Sequence, residues 1–144
     1  MKKLRISLLA LTLILGLSLL SGCNMSVRPL PEGMEEETAG EAGRAVVALL
    51  REENYQAVAD AFRADVREEL KVTAQAIEEV MKVTEGAGPY VNTYRTLAVG
   101  GDSDSFDEPF ALVSVCCEHE SKDVIYTMAF DTDLVLINLA VEKK

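Results

Sequence analysis

Apolar residues fall into three patterns along this chain. Between Ile6 and Leu20 they run almost unbroken, interrupted by Ser7, Thr12, Gly16 and Ser18. From Met34 to Gly88 they recur every three or four residues, the period of a helix with one buried face. From Tyr90 onward they cluster into short runs rich in β-branched and aromatic residues, which is the pattern of strands.

The helical stretch predicts three helices. The first carries Thr38, Ala42, Ala45, Val46, Leu49 and Leu50 at helical spacing, and Glu35, Glu36 and Glu37 complement the dipole of its first turn. Gly40 and Gly43 weaken it. Asn54 stops it and caps a second helix that buries Tyr55, Val58, Ala59 and Phe62 and carries its stripe on through Val66 and Leu70. Thr73 caps the third, with Ile77, Val80 and Met81 on its apolar side, and Gly86 and Gly88-Pro89 end it.

Four strands follow: residues 90–99, 110–120, 124–130 and 134–141, separated by the turn-forming stretches GGDSDSFDEP, ESKD and DTD. Helices followed by consecutive antiparallel strands predict an α+β fold, with three N-terminal helices on one face of a curved four-stranded sheet. The last strand is apolar on both faces except at Asn138. With helices on one side, its other side is expected to line a cavity or meet a partner.

The first apolar run is a leader. Lys2, Lys3 and Arg5 precede it, and 15 residues of helix rise only about 22 Å, short of the roughly 30 Å needed to span a bilayer. Leu20-Ser21-Gly22-Cys23, straight after it, resembles the bacterial lipobox. The resemblance implies that Leu20, Ser21 and Gly22 are read by a signal peptidase and that the thiol of Cys23 takes up diacylglycerol. Residues 1–22 are then the signal peptide, 23–37 a lipidated N-terminus and tether, and 38–144 the folded domain. The expected location is the cell membrane, on its extracytoplasmic side, either the outer surface of a Gram-positive cell or a periplasmic leaflet.

Charge narrows the partners. All 24 acidic residues lie beyond Gly22, whereas three of the 14 basic ones precede it, so the mature chain carries −13. That argues against nucleic acid, which calls for a basic face, and against an electrostatic grip on anionic lipid. Cys116 and Cys117 are adjacent and point to opposite faces of a strand, so they do not form a disulfide framework.

The order of elements brings up a second resemblance. Asn54-Tyr55 and Phe62, then Thr73, Gln75 and Ile77, then Gly88 and Tyr90, and finally Phe130-Asp131 are similar to positions in small bacterial domains of the nuclear transport factor two and ketosteroid isomerase superfamily. The resemblance spans roughly residues 38–142, and Asn138 stands where that family often has a glycine. It implies a cone-shaped half-barrel enclosing a pocket, with Tyr55, Phe62, Tyr90, Tyr94 and Tyr126 as candidate lining residues, and it implies self-association through the sheet.

Catalytic signatures are sparse. Cys117 and His119 share one face of a strand and are the weak candidates for a metal, but structural zinc takes four ligands and His119 is the only histidine. The loop acids Asp102, Asp104, Asp107 and Glu108 miss the EF-hand spacing, because Phe106 and Asp107 occupy its fifth and sixth positions. There is no phosphate loop, Gly-x-Ser-x-Gly elbow or His-Glu-x-x-His. No cofactor is expected. The preferred expectation is a non-catalytic anchored domain that binds a small apolar ligand, a peptide or another protein. The alternative is a small isomerase- or cyclase-like enzyme using an acid and a tyrosine in the cavity.

Overall fold

A computed structural model of the protein describes residues 27–101 and 106–144. The leader, the lipobox residues Leu20 to Cys23, and Asp102 and Asp104 lie outside the described residues. Among those described, no helix is long and apolar enough to cross a membrane.

Four helices precede the sheet: α1 Glu36–Arg51, α2 Tyr55–Ala61, α3 Ala64–Leu70 and α4 Ala74–Met81, the last running into a 3-10 turn at Lys82–Thr84. The strands are β1 Tyr90–Gly100, β2 Phe110–His119, β3 Val124–Asp131 and β4 Leu136–Lys143, paired antiparallel in the order β1-β2-β3-β4. The molecule is thus an α+β fold built on an antiparallel sheet, with its helices first in the chain.

The expected second helix is two. The stripe from Tyr55 to Leu70 keeps its spacing, but the chain is extended at Phe62 (φ −66°, ψ 142°). There Phe62 forms a parallel bridge with Leu136, and the Arg63 amide donates to the Leu136 carbonyl at 2.8 Å. Pairing with the edge of the sheet overrides local helical preference. The two caps read from sequence do form: Asn54 accepts from the Ala57 amide, and Thr73 from the Ala76 amide. Val80 departs from its expected stripe and is exposed.

α1 lies on the sheet face that presents Thr96, Val113 and Met128, and it lies close. A Cβ on Gly43 would fall 2.5 Å from Val113 Cγ1, and Val113 is fully buried. Val46, Val47 and Leu50 of α1 join Val58, Ile77, Val115, Tyr126 and Leu136 in one core between helices and sheet.

Arg63 ties three distant segments together at one pole of the sheet. Its guanidinium bonds Asp65 (2.7 and 3.1 Å), Asp131 (3.1 Å) and Glu108. Asp131 also accepts from the amides of Asp133 and Val135, which closes the β3–β4 turn. Arg63 holds its own proton more firmly, chiefly through Asp65, and pulls the Asp65 carboxyl below the usual range.

The same pole takes up the chain that leads into α1, so the described end of the expected tether is docked. The Gly100 amide donates to the Arg28 carbonyl at 2.9 Å, and Leu30 packs on the core. A Cβ on Gly100 would sit 2.0 Å from the Pro29 carbonyl oxygen, so only glycine admits this strap. The strap ends in a turn, Met34 amide to Pro31 carbonyl, with Gly33 at φ +84° supplying the left-handed residue. A groove of about 490 Å³ opens beside it, lined in part by Pro29, Pro31, Phe106 and Phe110.

Gly43 gives a test of this packing. In an exposed helix, glycine to alanine stabilises by about 1 kcal/mol. Here the added methyl must displace a stiff, buried valine, an overpacking cost of about 1–3 kcal/mol. Urea denaturation is expected to show Gly43→Ala as less stable than the parent. A more stable variant would contradict the close approach.

Candidate functional site

Two groups of residues stand out, one on each face of the sheet. On the helix side, at the pole opposite the strap, Arg51 closes α1 and its guanidinium carbon sits 3.3 Å above the Tyr90 ring. The Tyr90 hydroxyl lies 3.0 Å from that of Thr93, and Thr93 lies 3.4 Å from the Cys117 sulfur. The His119 ring meets Tyr90 edge-on, with centroids 5.8 Å apart. Its Nδ1 donates to the Gly88 carbonyl at 2.8 Å, which places the proton on that nitrogen. Nε2 is buried and finds no hydrogen-bond partner among the described residues.

The structure therefore brings together four of the residues singled out from sequence: Tyr90, Tyr126, Cys117 and His119, with Tyr55 nearby at the start of α2. Arg51 joins them without a signal in the sequence, since its partner is 39 positions away. Phe62 is buried at the other end, beside Leu136. Tyr94 is on the opposite face. Two β-bulges, at Val91 and Tyr94, interrupt the alternation of β1, and Tyr94 is 52% exposed with its hydroxyl donating to Asp123 at 3.1 Å.

Besides the Arg51 guanidinium and the His119 ring, the helix-side cluster consists of weak acids that burial keeps protonated. Burial pushes the Cys117 thiol up, against smaller opposing effects of the Thr93 contact and Arg51. Burial, helped by Cys117 and Tyr55 and opposed by Arg51, pushes the Tyr126 phenol to about 12. Tyr55 is raised by burial and then by Glu53 and Glu78. General acid–base work at neutral pH wants groups that titrate near 7, and these move the other way. The acid–tyrosine hydrogen bond found among the described residues, Tyr94 to Asp123, lies on an open edge. Cys117 and His119 each spend a polar atom on Thr93 and Gly88, and among the described residues no three potential ligands converge on a metal position. Of the loop acids, Glu108 is taken by Arg63 and Asp107 is exposed.

The opposite face of the sheet is the second candidate. Strand register sorts it into rows that run across all four strands. Nearest the strap stand Val99, Leu112, Ala129 and Asn138, then Leu97, Ser114, Thr127 and Ala140. A third row holds Arg95, Cys116, Ile125 and Glu142. Leu97, Val99, Leu112, Cys116, Ile125 and Ala140 are part-exposed, so this apolar face reaches solvent there, while Thr127, Ala129 and Asn138 among them are buried. Within these three rows the only charges are Arg95 and Glu142, on the two edge strands, and the next row adds Glu118 of β2. Cys116 is raised, chiefly by burial, with Arg95 opposing.

Tyr126 supplies a pH prediction. Its folded value lies above the ordinary 10, so its contribution to stability is full below pH 10 and is lost as pH rises toward 12. Titration followed at 295 nm is expected to show Tyr126→Phe removing a phenol that ionises near 12, with the variant's stability less sensitive over that range. Loss of a phenol that ionises near 10 would contradict the buried placement.

No protein-family model and no curated protein matches the chain. Among solved structures, a solution NMR structure of a protein from Ruminococcus gnavus ATCC 29149 is similar in fold, with a TM-score of 0.65 and 20% identity. The match covers 79% of this chain and 96% of that one. At that identity the likeness concerns the fold alone: helices followed by a four-stranded antiparallel sheet.

Proposed function

We propose that this protein is a lipid-anchored extracytoplasmic binding domain, held on the membrane through Cys23 and working through the open face of its sheet. The observation that carries the reading is the part-exposed, uncharged centre of that face, from Leu97 and Val99 across Leu112 to Ile125 and Ala140. A monomeric surface of this kind marks an interaction site more often than it marks nothing. The acidic remainder of the mature chain keeps the domain soluble around that patch and gives nucleic acid no purchase.

The cone-shaped half-barrel of the nuclear transport factor two and ketosteroid isomerase superfamily is the finer description we favour. The order of elements and the one-sided placement of α1 support it. In this reading Tyr90, Tyr126, Phe62 and Tyr55 serve chiefly as packing groups beneath the helices, and the working surface is the other side. The upward shifts of Tyr55, Cys117 and Tyr126 weigh for binding over an isomerase-like reaction.

Anchoring follows from Leu20-Ser21-Gly22-Cys23. One acyl chain holds a protein only marginally, and a diacylglyceryl group supplies two. Mass spectrometry of the mature protein is expected to find an N-terminal Cys23 carrying a diacylglyceryl thioether, and Cys23→Ser is expected to leave the membrane fraction unprocessed. An unmodified Cys23 at the mature terminus would reject the anchor.

A further inference from the structure

The groove beside the strap has a composition that selects its occupant. At about 490 Å³ it lies within the size range of small-ligand sites. The strap contributes Pro29 and Pro31, whose rings fix the backbone φ. The segment that leads into β2 contributes Phe106 and Phe110, which meet edge-on at 4.6 Å with both residues buried. Gly100 and Gly101 also line it. Their backbones are bare because a Cβ would strike the Pro29 carbonyl or the Phe110 ring.

These walls hold little for a ligand that needs hydrogen-bond donors. Three of the nine lining residues are prolines, which have no amide proton. The Gly100 and Gly101 amides are bonded to the Arg28 and Phe110 carbonyls. Among the described residues that line the groove, the charged groups are both carboxylates, Asp107 and Glu108. Arg63 takes Glu108, and Arg28, next to the groove, is also engaged. Asp107 is exposed and makes no hydrogen bond or ion pair among the described residues. An ionised carboxylate accepts and does not donate. An anionic ligand is therefore repelled here, both by Asp107 and by the mature charge of −13. An apolar stem with a cationic head matches the walls and the carboxylate together.

We propose that the groove takes up a lysine or arginine side chain of an extended basic peptide. The methylenes lie against the proline and phenylalanine walls, and the charged end meets Asp107. Pro29, Asp107 and Pro109 are exposed, so the groove is open along its rim. The peptide main chain stays in water there, and its amides need no partner from the protein. The acidic surface around the groove steers a basic segment toward it. The site stands apart from the open face of the sheet and from Cys23, and it goes beyond the function proposed above.

An exposed ion pair contributes a factor of about five in affinity at most. Each methylene that leaves water contributes about fourfold. Burial of the stem therefore supplies most of the affinity, and Asp107 sets the direction in which the side chain enters.

The test uses the full-length processed chain in a neutral detergent and two fluorescent peptides of equal charge. Hexalysine is compared with hexaornithine, whose side chains are shorter by one methylene. Fluorescence anisotropy is expected to show hexalysine binding about fourfold more tightly. Asp107→Asn should weaken hexalysine by about fivefold. Glu78→Gln removes the same charge from the exposed side of α4, beside Tyr55, and should change binding by less than about twofold. Equal affinity for the two peptides, or equal loss from the two variants, would mean diffuse attraction to an acidic surface and would overturn the proposal. So would a failure of hexalysine to bind. Spermidine bound as tightly as hexalysine would make the occupant a free amine and overturn the peptide assignment.

Discussion

Everything in this molecule depends on how closely α1 can approach one face of the sheet. The sheet is apolar on both sides, but the helices cover it from one. Gly43 lets the α1 backbone come down onto Val113, with Met128 beside it, and the apolar stripe Val46, Val47 and Leu50 follows. That contact fixes which face is interior. It makes Val113, Val115 and Tyr126 core residues, and it leaves Leu97, Leu112, Cys116 and Ile125 on the side that meets solvent.

The strands were legible because alternation and turn chemistry are local. Their observed limits fall within about two residues of those read from sequence, and the caps at Asn54 and Thr73 act as their residue types suggest. The break in the second helix was not legible. Tyr55, Val58, Phe62, Val66 and Leu70 keep helical spacing straight through it, and the pairing that makes it comes from Leu136, far along the chain. The Arg63 clamp was hidden for the same reason, since two of its carboxylates come from positions 108 and 131. Tyr94 misled because two bulges shift the parity of β1, which a count of every second residue does not reveal. The two-sided character of the last strand raised the expectation that its far side lines a cavity or meets a partner. Which residues share that face, and in which rows, required the register.

The two ends of the sheet differ in kind. One gathers the strap, the Arg63 clamp and the β3–β4 turn into a pole fastened by hydrogen bonds between segments far apart in sequence. The other stacks Arg51, Tyr90 and His119 and keeps Cys117 and Tyr126 protonated through neutral pH. Together they fasten the sheet at both ends. The proposed binding role rests on the contrast between an apolar face and an acidic remainder.

Cys116 reports on that face directly, because it sits in the third row beside Ile125, part-exposed, while Cys117 is buried among the helices. The most direct measurement is the relative rate at which a maleimide labels the two thiols of the folded domain. Coverage of one face by α1 predicts that Cys116 reacts first while Cys117 stays inert until the domain is unfolded. Labelling of Cys117 ahead of Cys116, or of both at one rate, would contradict the account.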